Sequence, residues 1–180
     1  MLKFKTMKLK YYLILFLLFL LFLIFFSSCV KENNLTEENL VYKNFTIKGS
    51  SMKPALNNSQ EVRVLLNSTN YSRGEIVIFK VKTRDEIFVK RIIAIEEDKV
   101  LFGRNGKIYL NGIVLNESYV KDIEFNSNNI YVLLKQLEYY NNTIPRGYFL
   151  IMGDNRRFSL DSSEYGLVLR ENVLGKVITN

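Results

Sequence analysis

The sequence predicts a mostly β domain of antiparallel strands, preceded by one apolar segment at the N-terminus. Three observations support this prediction. Residues 11–26 contain no charged side chain. From about residue 41 onward, short runs rich in β-branched and aromatic residues alternate with polar or glycine-containing turns. No strand–helix–strand alternation, which would indicate a parallel sheet, is visible. A chain of 180 residues accommodates about one such domain.

The apolar segment, YYLILFLLFLLFLIFF, is apolar on every face of a helix, as is typical of a membrane span. Sixteen helical residues extend about 24 Å, and continuation through residue 30 gives roughly 30 Å, the thickness of a bilayer core. Lysines precede the segment and glutamates follow it, so the positive-inside rule keeps the N-terminus in the cytoplasm and exports the rest. We predict a basic cytoplasmic tail over 1–10, a transmembrane segment over 11–30, a polar spacer over 31–40 and a β domain over 41–180.

Cys29, the one cysteine of the chain, leaves two fates open for this segment. One is a permanent signal anchor. The other is a lipoprotein signal peptide cut before Cys29, since the small residues Ser27 and Ser28 precede it, although Phe26 is a poor match to the usual branched aliphatic residue. We expect the anchor. Both fates tether the domain to the outer face of a membrane, so membrane lipid is an expected partner.

The β domain is predicted from short apolar runs. Asn105-Gly106 and Asn111-Gly112 are strong signals for hairpin turns. The segment 128–140 fits a helix and a strand equally well. The predicted strands lie at 62–66, 75–81, 86–95, 99–102, 107–115 and 148–152.

The composition excludes several kinds of active site. Since the chain has no His, a Ser-His-Asp or Cys-His group and an imidazole zinc site are impossible. A single cysteine excludes an intrachain disulfide and a CxxC pair. The net charge is +7, but the basic tail contributes four of these charges. The remaining excess of three does not indicate binding to nucleic acid.

Ser51 and Lys90 are candidates for the chemistry that remains. Ser51, in IKGSSMKPAL (47–56), would on its own be a turn residue. Lys90 lies in an otherwise apolar strand, where the period of two places it on one face with Phe88 and Ile92. Burial disfavours the ammonium form and lowers the pKa of a lysine, and a neutral amine can accept the proton of a serine hydroxyl. The alternative is that Lys90 reaches water from the edge of the strand.

A third segment, MGDNRRFSLDSSEYG (152–166), is a polar stretch after an apolar strand. By itself it indicates a solvated loop with Asx turns. Gly153 permits close approach of the backbone, and hydrogen-bonding groups are crowded around it. These are Asp154, Asn155, Ser159 and Asp161.

In this order and spacing, the three segments resemble the motifs of type I signal peptidases, membrane-bound endopeptidases with a Ser-Lys dyad. GSSMKPAL (49–56) resembles the family's nucleophile box, and RGEIVIF (73–79) resembles its Arg-Gly-Asp strand. VKRIIAIEED (89–98) resembles the Lys-Arg box, and GDNRRFSLDSSEYGLV (153–168) resembles the Gly-Asp-Asn box. YLNGIVLNESYV (109–120) resembles the hairpin between those boxes. The resemblance extends over residues 11–180 and is least distinctive over 121–147. It implies a mostly β domain of coiled antiparallel sheets.

The resemblance implies roles for individual residues. Ser51 is the nucleophile and Lys90 the general base. Ser159 orients the Lys90 amine by a hydrogen bond, and Arg91 pairs with Asp154 to hold the loops of the site. Shallow apolar pockets accept small residues at the −1 and −3 positions of the substrate. The implied lining of these pockets is Phe45, Ile47, Met52, Leu56, Phe88 and Val89.

The chain departs from the pattern of the family in three places. Residues 96–98 (EED) replace the usual Pro-Gly-Asp. Asp161, a further supporting residue, lacks the Arg that usually follows it two positions later, which leaves its partner open, with Arg156 and Arg157 as candidates. Gly49 stands where some members place a serine that donates to the oxyanion. The N–H of the nucleophile remains as one donor.

The activity implied by the resemblance is cleavage after small-x-small in the signal peptides of exported preproteins, through an ester on Ser51. The implied location is the plasma membrane of a bacterium, single-pass, with the catalytic domain on the outer face and the protein-export machinery as a candidate partner. No metal or cofactor is required. The alternatives are a specialised relative that matures one pilus or conjugation substrate and a catalytically silent, anchored binding module. A soluble SOS-repressor-type autoprotease shares the dyad, but the membrane segment and the Gly-Asp-Asn box argue against it.

Overall fold

The computed structural model describes residues 15–22, 40–81, 86–104, 106–120 and 130–178 of the chain.

Residues 15–22 form a helix, α1, whose apolar side chains are exposed. They belong to a different compact unit from the one that begins at Leu40. In the described part of the chain, no helix is both long and apolar enough to cross a membrane. The predicted cytoplasmic tail, the rest of the predicted span including Cys29, and residues 31–39 of the spacer lie outside the described residues.

The unit that begins at Leu40 is built from two antiparallel sheets. Its strands within the described residues are β1 (Val41–Thr46), β2 (Glu61–Leu66), β3 (Ile76–Lys80), β4 (Ile87–Ala94), β5 (Val100–Phe102), β6 (Ile108–Leu110), β7 (Ile113–Val114), β8 (Tyr148–Met152), β9 (Val168–Leu169) and β10 (Val173–Ile178). The larger sheet has the order β1-β2-β10-β3-β4-β8-β9, and the smaller has the order β5-β6-β7. Every neighbouring pair is antiparallel. The predicted mostly β, antiparallel fold is confirmed.

Strand β3 is buried on both faces of the larger sheet. Ile76 and Ile78 contribute to one core cluster, together with β2. Val77 and Phe79 contribute to another, together with β4 and β8. A strand covered on both sides reads as a continuous apolar run, which explains the sequence IVIFK.

The ambiguous segment 128–140 is resolved as a helix, α2 (Tyr131–Tyr139), where the structure describes it. Leu133 and Leu137 lie four residues apart, so they share one face of the helix. Both are buried in a third core cluster that includes Val100 of β5 and Leu150 of β8. This cluster joins the smaller sheet to the larger one.

The predicted hairpin turn at Asn111-Gly112 connects β6 and β7. Both residues have positive φ, 53° and 84°, as a type I′ turn requires. Gly106, between β5 and β6, also has positive φ, at 76°. Its predicted companion Asn105 lies outside the described residues.

Strands β1, β9 and β10 were not predicted. The side chains of β1 are mostly exposed on both faces, so no apolar alternation marks the strand in the sequence. β10 is interrupted by Gly175, where a Cβ would lie 2.4 Å from the carbonyl oxygen of Leu65 on β2. Glycine is therefore required for the close approach of these two strands, although it weakens the sequence signal of a strand.

Candidate active site

The candidate nucleophile Ser51 lies in the connection between β1 and β2. This connection is closed at its base, where the Ile47 N–H donates to the Gln60 carbonyl at 2.8 Å. Met52 and Leu56 are buried in the core beneath it and anchor the segment to β2 and β3. Ser51 is half-buried between these anchors and the loop that follows β8.

Lys90 lies on β4 and is only 3% exposed. Its Nζ lies 2.9 Å from Ser51 Oγ and donates to the Val89 carbonyl at 2.8 Å. Burial lowers the pKa of Lys90 to about 8, while the carboxylates of Asp161 and Asp154 oppose that shift. The lysine therefore faces inward, as the strand pattern predicts, and does not reach water from the strand edge.

This geometry can support proton transfer from Ser51 to Lys90. The 2.9 Å separation of Oγ and Nζ is that of a direct hydrogen bond. An amine with a pKa of about 8 is neutral in a substantial fraction of molecules at mildly alkaline pH. Such an amine can remove the hydroxyl proton as the serine attacks a carbonyl.

Arg91 and Asp154 form a two-point ion pair beside the candidate dyad. Arg91 Nε and Nη2 donate to the two oxygens of Asp154 at 2.8 and 2.6 Å. Asp154 is fully buried, and Arg91 also donates to the Gly74 carbonyl at 2.6 Å. The pair joins β4 to the turn before β3 and to the loop after β8, as the resemblance implies.

Asn155 holds the nucleophile segment from the opposite side. Its backbone N–H donates to the Ser51 carbonyl at 3.0 Å, and its side-chain Nδ2 donates to the Ser50 carbonyl at 3.1 Å. The neighbouring Gly153 allows this approach, because a Cβ there would lie 2.5 Å from the Ser51 carbonyl oxygen and 2.3 Å from Ser159 Oγ. The sequence shows Asn155 in a polar loop but does not indicate that it contacts the nucleophile.

Ser159 does not make the implied hydrogen bond to Lys90. Its Oγ is buried and has no hydrogen-bond partner within the described part of the chain. The Lys90 amine is oriented instead by Ser51 Oγ and by the carbonyl of Val89. Ser159 nevertheless lies at the site, since its Oγ is close to Gly153.

In the part of the chain that the structure describes, neither candidate arginine, Arg156 or Arg157, pairs with Asp161. Asp161 is buried and accepts hydrogen bonds from the Gly153 N–H at 2.8 Å and from the N–H and hydroxyl of Ser163 at 2.9 and 2.8 Å. Among the described residues it has no ion pair with either arginine. Backbone and hydroxyl donors therefore satisfy this carboxylate without an arginine.

Arg156 pairs instead with Glu117, in the segment after β7. The two side chains are 1% and 7% exposed and meet at two points, one of them a 3.3 Å contact between Nη1 and Oε2. Arg156 Nε also donates to the Gly153 carbonyl at 3.0 Å. The sequence does not identify Glu117 as a site residue, because its neighbours in the chain show no unusual pattern.

A cleft of about 720 Å³, lined by apolar residues together with the charged Lys48 and Glu86, opens beside Ser51 and Lys90. Of the residues expected to line it, Leu56 does not and is instead buried in the core beneath. The expected residues that do line the cleft are Phe45, Ile47, Met52, Phe88 and Val89. Further apolar lining that the sequence did not indicate comes from Ile78, Ile87, Phe158 and Leu160.

Comparisons with known proteins agree on one family. The family described as "Signal peptidase, peptidase S26" matches residues 7–179 of this chain. Signal peptidase IB of Staphylococcus aureus (strain COL) is 34% identical, with 74% of each chain covered. A probable signal peptidase I-2 of Synechocystis sp. is 33% identical, covering 72% of this chain and 58% of the relative. The crystal structure of a signal peptidase I from Enterococcus faecalis V583 is 30% identical and covers 62% of this chain and 98% of that one, with a TM-score of 0.49.

Proposed function

Because this chain belongs to the signal peptidase family, peptidase S26, and is a serine peptidase that removes signal peptides from preproteins, we propose that Ser51 is its nucleophile and Lys90 its general base. The observation that carries this proposal is the 2.9 Å contact between Lys90 Nζ and Ser51 Oγ at the edge of the apolar cleft. With no His in the chain, the base must be another group, and burial of Lys90 lowers its pKa toward the range in which a base is useful.

The reaction proceeds through an ester on Ser51. Neutral Lys90 takes the hydroxyl proton while Oγ bonds to the carbonyl carbon, and the carbonyl oxygen becomes an oxyanion. The Lys90 ammonium then gives its proton to the leaving amine as the peptide bond breaks. Water, deprotonated by the same amine, attacks the ester and releases Ser51 with its proton restored. The Ser51 N–H makes no hydrogen bond within the described residues, so it is available to donate to the oxyanion.

The substrate binds as an added strand on the edge of β4. On one side, β4 pairs with β3 along Ile87–Arg91, but on the other it pairs with β8 only from Arg91 onward. Within the described residues, the backbone of β4 ahead of Arg91 therefore has one edge without a neighbouring strand. An extended peptide placed there runs along the apolar cleft toward Ser51, and alternate side chains enter it.

The substrate pockets are placed on the apolar part of the cleft. The −1 and −3 side chains are placed against Ile47, Met52 and Val89, which carry no charge. These three side chains offer no partner to a charged substrate side chain, although Lys48, Glu86 and Lys90 line other parts of the cleft. This supports cleavage after small-x-small in exported preproteins.

The N-terminal segment anchors the enzyme. We assign residues 1–10 to the cytoplasm, 11–30 to a single membrane span, 31–40 to a spacer and 41–180 to a catalytic domain on the outer face of a bacterial plasma membrane. The lysines before the span and the apolar, exposed residues 15–22 support this arrangement. Membrane lipid and the protein-export machinery are then its natural neighbours.

The dyad is tested with the full chain in detergent and a labelled preprotein. Ser51→Ala and Lys90→Ala should each reduce cleavage by several orders of magnitude while circular dichroism shows a folded protein. In the wild type, kcat/KM should rise with pH through about 8, because the base acts in its neutral form. Ser72→Ala and Lys99→Ala, at exposed positions, are the matched controls. Substantial activity in Lys90→Ala, or a profile without a basic limb, would show that Lys90 is not the base.

A further inference from the structure

We infer that Asn155 is a positioning residue that orients the backbone N–H of Ser51 toward the oxyanion. The inference rests on the proposed function, since it concerns the transition state of that reaction. It assigns to the Asn155 side chain a role in the rate of ester formation that is separable from substrate binding and from the basicity of Lys90.

The contacts of Asn155 are made to the two peptide groups that flank the nucleophile. Its Nδ2 donates to the carbonyl of Ser50, which belongs to the peptide group carrying the Ser51 N–H. Its backbone N–H donates to the carbonyl of Ser51, which belongs to the following peptide group. The loop after β8 therefore fixes both peptide planes at the nucleophile.

Because the peptide bond is planar, the contact between Asn155 Nδ2 and the Ser50 carbonyl also determines the direction of the Ser51 N–H, the oxyanion donor. In a trans peptide, the C=O and the N–H lie in one plane and point in opposite directions. Holding the Ser50 oxygen at 3.1 Å from Asn155 Nδ2 thus fixes the direction of the Ser51 N–H. A hydrogen bond accepted by the Ser50 carbonyl also polarises the N–H of the same peptide group, so the Ser51 N–H becomes a stronger donor.

Hydrogen bonds inside the nucleophile segment alone do not fix the orientation of the Ser50–Ser51 peptide group. The Ser50 carbonyl also accepts from the Lys53 N–H at 3.1 Å, but that donor lies in the same turn and moves with it. Asn155 reaches the turn from a separate loop, which Asp154 and its ion pair with Arg91 hold in place. Gly49, on the other side of Ser50, has φ of 86° and no side chain to add a second oxyanion donor. The orientation of the Ser51 N–H is therefore more important here than in family members with a donating serine at the position of Gly49.

The identity of the side chain follows from its partner. A carbonyl oxygen only accepts hydrogen bonds, so the group facing it must be the amide nitrogen. Asn155→Ala removes this donor and keeps the backbone contact to Ser51. Asn155→Asp is nearly isosteric but places an acceptor against the Ser50 oxygen, so it should be the more damaging of the two.

Kinetics of the full-length protein in detergent provide the first test. In Asn155→Ala, kcat should fall about tenfold or more, since misdirecting an oxyanion donor costs part of the roughly hundredfold or larger loss that its removal causes. KM should change less than twofold, and the midpoint of the basic limb of the pH–rate profile should stay at the wild-type value. Asn155→Asp should be slower still. Asn116→Ala, at an exposed position, is the matched control and should resemble the wild type.

A pair of inhibitors separates positioning from a merely structural role. A peptide aldehyde with the sequence of the signal-peptide C-terminus bonds to Ser51 Oγ, and its carbonyl oxygen takes the oxyanion position as the proton passes to Lys90. The matching peptide alcohol binds without forming this bond. In Asn155→Ala, the aldehyde should bind weaker by about the factor lost in kcat, whereas binding of the alcohol should be unchanged.

The other outcomes overturn the inference in distinct ways. Wild-type kcat in both Asn155 variants, with Ser51→Ala inactive, would remove the role of Asn155 and leave the proposed function intact. Equal weakening of aldehyde and alcohol, or a shifted pH midpoint, would show that Asn155 only holds the loop. Full activity in Ser51→Ala would instead contradict the proposed function itself.

Discussion

At the scale of single residues, the burial of Lys90 that suits its proposed catalytic role also lowers the stability of the folded protein. A lysine that is 3% exposed has lost nearly all of its hydration. The loss lowers its pKa from 10.5 to about 8, so near neutral pH the folded protein still carries a buried ammonium that is disfavoured there. Under the proposed mechanism this cost has a reason: a fully hydrated lysine, with a pKa near 10.5, would already hold its proton at neutral pH and could not take one from Ser51.

Lys90→Met should therefore be inactive but more stable than the wild type below pH 8. The unfolded chain holds the lysine proton up to about pH 10.5, whereas the folded protein releases it at about pH 8. The free energy of unfolding of the wild type consequently gains a contribution as the pH rises from about 8 to 10.5, and the methionine variant lacks that gain. At pH 7 the variant should be more stable by roughly 1–3 kcal/mol.

Thermal unfolding at pH 7 and pH 10, followed by circular dichroism, measures this difference. The advantage of Lys90→Met should shrink at the higher pH. Lys99→Met, at an exposed position, should show no such pH-dependent difference. A methionine variant that is less stable than the wild type at both pH values would contradict a destabilising buried charge.

The catalytic candidates differ in how well the sequence identifies them. Lys90 could be identified because a lone cation in the apolar strand IFVKRIIAI is conspicuous, and Ser51 because it precedes Met-x-Pro. Asn155 and Glu117 could not be assigned a role. Their contacts depend on how separate loops fold together, and polar residues in loops are common for many reasons.

At the scale of elements, the strands that the sequence predicts have a continuous apolar run, an apolar residue at every second position or a clear turn. β3 and β4 are identified by their apolar runs, and the β6–β7 hairpin by Asn111-Gly112. β1 and β10 become recognisable as strands only from their pairing with β2 in the structure, because their own sequences lack a strand pattern. The periodicity of the segment containing α2 is shared by helix and strand, and only the packing of Leu133 and Leu137 decides between them.

The ion pair between Arg156 and Glu117 fastens the loop after β8 to the segment after β7. Both side chains are buried, and removing one partner of a buried ion pair typically costs about 3–5 kcal/mol. Glu117→Leu and Arg156→Met should each destabilise the protein by such an amount. The double variant should lose less than the sum of the two.

Chemical denaturation of the four proteins gives the coupling energy from a double-mutant cycle. Cleavage rates should follow the same order, because Arg156 also donates to the carbonyl of Gly153, whose N–H is held by Asp161. Arg146→Met, which removes an exposed ion pair with Glu97, serves as the control and should cost little. Strict additivity of the two single effects would show that the buried pair does not act as a unit.

The open edge of β4 predicts which substrate positions are selective. With a peptide added as a strand, the −1 side chain enters the cleft while the −2 side chain points away from it. Preproteins with Ala, Gly or Ser at −1 should be cut. The same preprotein with Leu, Lys or Asp at −1 should be cut at least about a hundredfold more slowly, which corresponds to roughly 2.7 kcal/mol in the transition state.

A parallel series at −2 is the control for this prediction, since that side chain meets no pocket. Its rates should vary far less than those of the −1 series. Similar tolerance at both positions would contradict the pocket assignment without touching the roles of Ser51 and Lys90.

At the scale of the whole molecule, the two compact units differ in where their apolar side chains lie. The unit that begins at Leu40 buries its apolar side chains in three core clusters. Residues 15–22 instead expose theirs, from 41% at Leu20 to 62% at Leu21. Exposed apolar side chains on every face of a helix are stable in hydrocarbon and not in water.

The proposed membrane anchor predicts the mass of the mature protein. If residues 11–30 form a permanent anchor, as we expect, the chain extracted from membranes retains its N-terminal residues, and Cys29 carries no acyl group. Phe26 supports this expectation, since lipoprotein processing favours a branched aliphatic residue at that position. Intact-mass spectrometry of the detergent-extracted protein tests it, with Cys29→Ser as the control that cannot be acylated. A mature chain that begins at an acylated Cys29 would replace the helical anchor with a lipid one and would contradict this expectation.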